Sequence, residues 1–349
     1  MTKPFVMASI LARRGPAVVL ALVVFVQGVP LFGNDSAAEA AAGGIQLRKE
    51  SRISMEKERL TISLKKVSVK YEFLNTTDQD IVTEVAFPMP PYEYVVTGTW
   101  YGAWNFTNFR VWVDGREIKY ETEARAKLHN SDYTDLLQRV GVDIQTFGHL
   151  DALELPIRDD KDNWRNSQIA KLTQPVKADL TRLGLLDPKY ALPTWTVFRT
   201  YFWSQRFPAR KTVRVRHDYE PVIGFRPVSF GSIQSDLKDA CIDGSLQKKL
   251  RSMATQEVKQ EGGELTSNSI DSINFESKWV RYVLTTANSW KTPIKDFELI
   301  LERPQGSDQL ISLCWDGKVQ RLDENHFVSR RVNFIPSHDL TVYFLEKYY

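Results

Sequence analysis

The chain has 349 residues, with 46 Lys+Arg against 43 Asp+Glu, 42% hydrophobic side chains, and 9 Trp, 13 Tyr and 18 Phe. That apolar and aromatic content can fill real cores, which excludes a disordered chain, and the length suffices for two domains of ordinary size. Three bases and no acids fall in the first thirty-three residues, leaving 43 bases against 43 acids; a neutral body excludes nucleic acid, whose phosphates need a surplus of bases.

Residues 1–33 read as a signal peptide. Lys3, Arg13 and Arg14 precede an apolar run from Ala17 to Val26, which breaks at Gln27-Gly28-Val29-Pro30. Such a run is too short to cross a bilayer, which takes about 20 residues, and its basic start and short apolar core are those of a secretory leader. Cleavage after Gly33 gives a mature start at Asn34, with cleavage after Gly28 as the alternative. A periplasmic or extracellular location follows, with no transmembrane span in the mature chain. The two cysteines, Cys241 and Cys314, are expected to form one structural disulfide in that oxidising compartment.

Residues 34–120 read as an antiparallel, β-sandwich-like module. Ile53, Met55, Leu60, Ile62 and Leu64 alternate loosely. In "VKYEFLNTTDQDIVTEVAFPMPP" one strand carries Val69, Tyr71 and Phe73, a second carries Ile81, Val85 and Phe87, and Asn75 to Asp80 supply turn residues. Phe109, Val111 and Val113 share a face, Asp114-Gly115 signals a two-residue hairpin, and Ile118 and Tyr120 continue the return strand. Residues 121–190 then read as a helical insertion. Ser131 or Asp132 caps a Leu136, Leu137, Val140 face that stops at Gly141, and Pro175 opens a Val176, Leu180, Leu183 face that stops at Gly184. Residues 191–349 read as a larger β-rich region. Val213, Val215, His217 and Tyr219 share one strand face, one short helix starts near Ser245, and four or more strands follow, with a second Asp-Gly turn at Asp316-Gly317. The fold class is therefore mainly β with a helical insertion.

No local catalytic or cofactor motif occurs: G-x-S-x-G, H-E-x-x-H, C-x-x-C and the glycine-rich phosphate loops are all missing from the sequence. The histidines at 129, 149, 217, 326 and 338 lack ligand spacing. His217, on an apolar strand face, reads as a core histidine. Asp159, Asp160, Asp162 and Asn163 crowd oxygen ligands together but lack a calcium-loop glycine and a distal bidentate Glu, so they read as a solvated loop. No metal and no cofactor is expected. Between Tyr92 and Trp112 eight rings crowd about twenty residues, and from Gly98 to Asn108 they keep no strand period. Trp100, Tyr101, Trp104 and Phe106 are the candidate binding residues there, either as a contact surface or as a cover for the sandwich end.

The leader-proximal "NDSAAE", the "VSVKYEFLNTTDQDIVTEVAFPMP" strand pair and "FPARKTVRVRHDYEPVIG" resemble the bacterial exported family catalogued as domain of unknown function 4424. "DACIDGSL", "SLCWDG" and "HDLTVYF" extend the resemblance over most of the mature chain. It implies export and a β-rich body, and no reaction. The first β module is also similar to VIT domains through Tyr-x-Phe-x-Asn and Phe-Pro-x-Pro, without the adhesion module that accompanies them. The sequence thus describes an exported, non-catalytic envelope protein that binds or helps assemble a protein or glycan partner. The alternative is an envelope glycan or peptide hydrolase using carboxylates from separate strands.

Overall fold

A computed structural model of the chain describes residues 36–41, 44–93, 107–145, 168–189 and 191–348. Among these residues the backbone forms three sheets. The largest runs β17 (Gln320–Arg321), β18 (His326–Phe334), β15 (Ile294–Glu302), β3 (Ile53–Ile62), β4 (Val67–Asn75), β12 (Thr212–Glu220), β7 (Thr107–Val113) and β8 (Arg116–Ile118). The second runs β10 (Ser131–Asp132), β9 (Glu121–Leu128), β11 (Thr196–Phe207), β5 (Ile81–Pro88), β1 (Ser36–Ala41) and β2 (Gly44–Arg48), with β6 (Tyr92–Glu93) also on β11. The third runs β13 (Ile223–Ser229), β14 (Asn274–Tyr282), β19 (Leu340–Lys347) and β16 (Leu310–Ser312). Pairing is antiparallel except where β15 lies parallel to β3.

The alternation seen in the sequence is what builds the central core. Val69, Tyr71 and Phe73 from β4, Val213, Val215 and Tyr219 from β12, and Phe87, Trp203 and Phe207 from the second sheet meet there, together with Val280, Tyr282, Val342 and Phe344 from the third. On β14 and β19 the opposite face is also buried: Phe275, Tyr343 and Leu345 pack under the helix Gly244–Gln260 through Leu250, Ala254 and Val258. Strands covered on both sides are continuously apolar, as "LTVYFL" is. A third cluster joins Ala124, Ala126, Trp195 and Val197 to Leu137, Ile169 and Leu180 of the helical region.

Several expectations change. The boundary at residue 120 does not separate two sheets: β3, β4, β7 and β8 share theirs with β12 and β15, and β5 pairs β11 over eight positions. Residues 34–120 supply strands to both larger sheets, and their apolar faces meet those of residues 191–349, so the two regions share the central core. Residues 121–128 are strand β9 rather than the start of the helical insertion, since their pairing with β11 outweighs the helix propensity of "ETEARAKL". Helix begins at Thr134–Arg139, where Asp132 Oδ1 accepts from the Thr134 amide at 2.9 Å. The helix near Ser245 is not short; it runs Gly244–Gln260 from an Asp243 cap. Asp114-Gly115 makes a tight hairpin, both residues having positive φ (47° and 81°), with Val113 opposite Arg116. Asp316-Gly317 joins no hairpin, because β16 and β17 belong to different sheets.

The loose alternation of β3 has a definite cause. A bulge between Met55 and Lys57 shifts the register by one residue. Ile53 and Met55 point inward before it, and Glu58, Leu60 and Ile62 after it. Lys57 and Arg59 are thereby turned to the outer face of the eight-stranded sheet, which is the usual way a bulge re-aims a strand.

Candidate functional site: a basic groove on the outer sheet face

Trp100, Tyr101, Trp104 and Phe106 lie outside the described residues, as do Asp159, Asp160, Asp162 and Asn163. Cys241 and Cys314 are joined, their Cα atoms 5.0 Å apart, tying the segment before the long helix to the chain just after β16. His217 is fully buried among Phe87, Phe109 and Trp203, at ring-centroid distances of 4.8, 5.5 and 5.2 Å. It is part of the core. His338 is exposed, while its neighbour Asp339 accepts from the Leu284 and Thr285 amides at 3.0 and 3.1 Å and from the Thr285 hydroxyl at 2.8 Å. Burial pushes the Asp339 carboxyl up against those bonds. The groups that bond it are the Leu284 and Thr285 amides and the Thr285 hydroxyl, so it caps a turn.

The described residues hold a different feature. An open groove of about 440 Å³ crosses β3, β4, β12 and the β7–β8 hairpin, and Lys57, Arg59, Lys70, Arg214 and Arg216 line it against one carboxylate, Glu72. Strand register explains the line-up. Arg59 stands opposite Lys70, and Lys70 opposite Arg216, so three bases form one row perpendicular to the strands. In the next row Lys57 faces Glu72, and Glu72 faces Arg214. Like charges directly opposite cost a few tenths of a kcal/mol to about 1 kcal/mol. A row of three bases is therefore a local cost of this fold.

Its two ends are neutralised and its centre is not. Glu298 of β15, buried and opposite Arg59, pairs with that arginine and also accepts from Arg330 Nε at 2.6 Å. Asp218, also buried, pairs with Arg216, and accepts from Lys66 Nζ at 2.7 Å and from the Ser68 hydroxyl at 2.7 Å. Burial alone would raise the Asp218 carboxyl, but the hydrogen bonds from Arg216, Lys66 and Ser68 outweigh it and hold the pKa at about 2. Lys70 is exposed, and among the described residues it has no carboxylate within ion-pair distance. In the second row, Lys57 lies 3.6 Å from Asp296 and Arg214 lies 3.6 Å from Glu72, both loose contacts.

Beyond Arg216 the row ends at Trp112, which stands opposite it. The guanidinium of Arg216 covers one side of the indole system at 4.6 Å from the ring centroid, and that of Arg110 lies at 4.7 Å. Arg110 is held in turn by Glu117, whose Oε1 accepts from its Nε at 2.8 Å. Trp112 is thus a spacer that fixes two guanidinium planes, each contact worth about 0.5–1 kcal/mol at such sites. A second open depression, along Phe230, Gln247, Lys248, Arg251 and Asp271, carries a nearly balanced charge.

The groove escaped the sequence reading, although one signal was there. Lys70, Arg214 and Arg216 each sit between inward apolar residues, so their outward direction was legible. Their alignment depends on β4 pairing with β12, some 140 residues further along, and on the β3 bulge.

The family profile described as Domain of unknown function (DUF4424) matches residues 33–343. No curated protein matches the chain. Among solved structures, a candidate nutrient binding protein from Legionella pneumophila subsp. pneumophila str. Philadelphia 1 is similar over 90% of this chain and 70% of its own, with 14% identity and a TM-score of 0.39. A likeness of that size speaks for neither a shared fold nor a shared ligand.

Proposed function

The chain belongs to the domain of unknown function 4424 family, a membership that brings no reaction with it, and we propose that it is an exported binding protein whose basic groove takes an anionic partner of the cell envelope. The observation that carries this is the row Arg59, Lys70, Arg216, with bases directly opposite one another and, among the described residues, no carboxylate within ion-pair distance of Lys70. A bound anion would give Lys70 the counter-charge that Arg59 and Arg216 already have in Glu298 and Asp218. The carboxylates nearest the row support binding over hydrolysis. Asp218 is held ionised by three donors and Glu298 is gripped by two arginines, so both act as anchors for the bases.

Export is supported by the basic start and short apolar run of residues 1–33 and by the pairing of Cys241 with Cys314, which suits an oxidising compartment. No helix among the described residues is long and apolar enough to cross a membrane. Trp100, Tyr101, Trp104 and Phe106 are proposed, on sequence grounds, as a second contact surface, since interface energy concentrates in aromatic anchors.

The test uses protein recovered from the envelope fraction, which should begin at Asn34. It is passed over immobilised acidic and neutral envelope polysaccharides and eluted with salt. Retention on the acidic matrix alone, lost progressively as salt screens the groove, is the expected result. Equal retention on the neutral matrix at high salt would refute an anionic partner.

A further inference from the structure

The second sheet buries a cation that is independent of the groove. We propose that Arg199 of β11 anchors a separate site for a small organic monocarboxylate with an apolar body. Arg199 is only 4% exposed. It alternates inward between Val197 and Tyr201, where two apolar clusters meet, one holding Val197, Tyr92 and Ile144 and the other Tyr201, Phe87 and Met89. A guanidinium does not lose its proton in a protein, and a buried charge without a counter-charge is costly. Among the described residues no carboxylate lies within ion-pair distance of Arg199. Glu121 and Glu123 of β9 stand opposite Phe202 and Thr200, on the other face of the sheet, and Ala124, opposite Arg199, supplies neither charge nor acceptor. On the other flank β5 ends at Pro88 and β6 begins at Tyr92, so the neighbouring strand is interrupted beside Arg199, and the Met89 amide reaches only its backbone carbonyl at 2.8 Å.

The donors gathered there are underused. Arg199 Nη2 donates to the Gln145 carbonyl at 2.9 Å and to the Tyr92 hydroxyl at 3.4 Å, whereas Nε is buried and makes no hydrogen bond. The Tyr201 hydroxyl has no hydrogen-bond partner among the described residues. Burial pushes its phenol up to about 12, so it remains a donor at neutral pH, and Arg199, Tyr120 and Tyr92 all act on it electrostatically, which groups the four side chains. Tyr120, exposed and edge-on to Tyr201 at a centroid distance of 5.2 Å, brings the group to the surface. Apolar walls with a few convergent polar groups are the usual make-up of a small-molecule site. Arg125, Lys127 and Arg206, the other bases of β9 and β11, face the opposite way, so the site offers one positive charge and suits one carboxylate.

The experiment is calorimetric titration of the protein from the envelope fraction with acetate, hexanoate, benzoate, glutarate, phosphate and methyl benzoate. Hexanoate or benzoate should bind one to one and at least about tenfold more tightly than acetate, glutarate, phosphate and the ester. Arg199→Met should abolish that binding. Tyr201→Phe removes only the unbonded hydroxyl, so it keeps the fold and should weaken binding at least about threefold, a test that stands should Arg199→Met fail to fold. Thermal unfolding checks each variant, and Lys70→Glu should bind as the native chain does, which separates this site from the groove. Binding of neither hexanoate nor benzoate, an ester as tight as benzoate, or binding that persists in folded Arg199→Met or is unchanged in Tyr201→Phe overturns the proposal. Loss of binding in Lys70→Glu overturns it as well, by assigning the carboxylate to the groove.

Discussion

Asp218 shows what the groove asks of a single residue. Its carboxyl is raised by burial and lowered further than that by Arg216, Lys66 and Ser68, ending at about 2 against a model-peptide value of about 3.9. A folded-state pKa below the unfolded one means stability that is fully present above about pH 4 and drains away as the pH falls toward 2. At neutral pH this amounts to on the order of 1 kcal/mol once solvent screening of its partly exposed donors is allowed for. Asp218→Asn should cost that much in urea unfolding at pH 7, and the gap from the native protein should close between pH 4 and pH 2. A gap that stays constant across that interval would show that the ion pair with Arg216 contributes no charge-dependent stability. Lys70 is the contrasting residue: among the described residues no carboxylate lies within ion-pair distance of it, so replacing it should change binding and leave unfolding nearly untouched.

Among the elements, the long helix and the strand β16 are held by the Cys241–Cys314 bond across a sequence separation of 73 residues. Closing a loop of that length is worth about 4 kcal/mol in the chain-entropy account. Cys241→Ser with Cys314→Ser should therefore lower the unfolding free energy by up to that amount; no loss would mean that the unfolded chain already keeps these segments together. Legibility in the sequence divides along the same line between local and distant pairing. The strands β4, β5, β7, β8 and β12 were readable because inward side chains alternate and turn residues punctuate them, as Asn75 to Asp80 and Asp114-Gly115 do. β9 was not, because "ETEARAKL" has the composition of a helix and becomes a strand only beside β11. The parallel pairing of β15 with β3 joins residues about 240 apart and leaves no local trace. The site inherits that difficulty. Each base is visible as an outward position, but a row of bases exists only once three strands from the first part and the middle of the chain are in register.

For the molecule as a whole, that interleaving means that the strands of the central core also set the outward residues of the groove. β3 and β4 come from the first part of the chain, β12 from its middle and β15 from its last third, and together they set Arg59, Lys70 and Arg216 in line and anchor the row at Glu298. Residues 34–349 carry as many acids as bases, so the proposed attraction for an anion rests on this local arrangement and not on total charge. A charge reversal inside the row must then act differently from one elsewhere on the surface. The most direct measurement is the affinity of the protein for the acidic envelope polysaccharide on which it is retained, taken for the native chain, Lys70→Glu and Lys259→Glu, the last an exposed helix position. Lys70→Glu should weaken binding at least about tenfold and Lys259→Glu by less than about twofold, since electrostatic loss is steep at a contact and screened beyond about 10 Å. If the two reversals weaken binding equally, or Lys70→Glu binds as the native chain does, the groove is not the binding site.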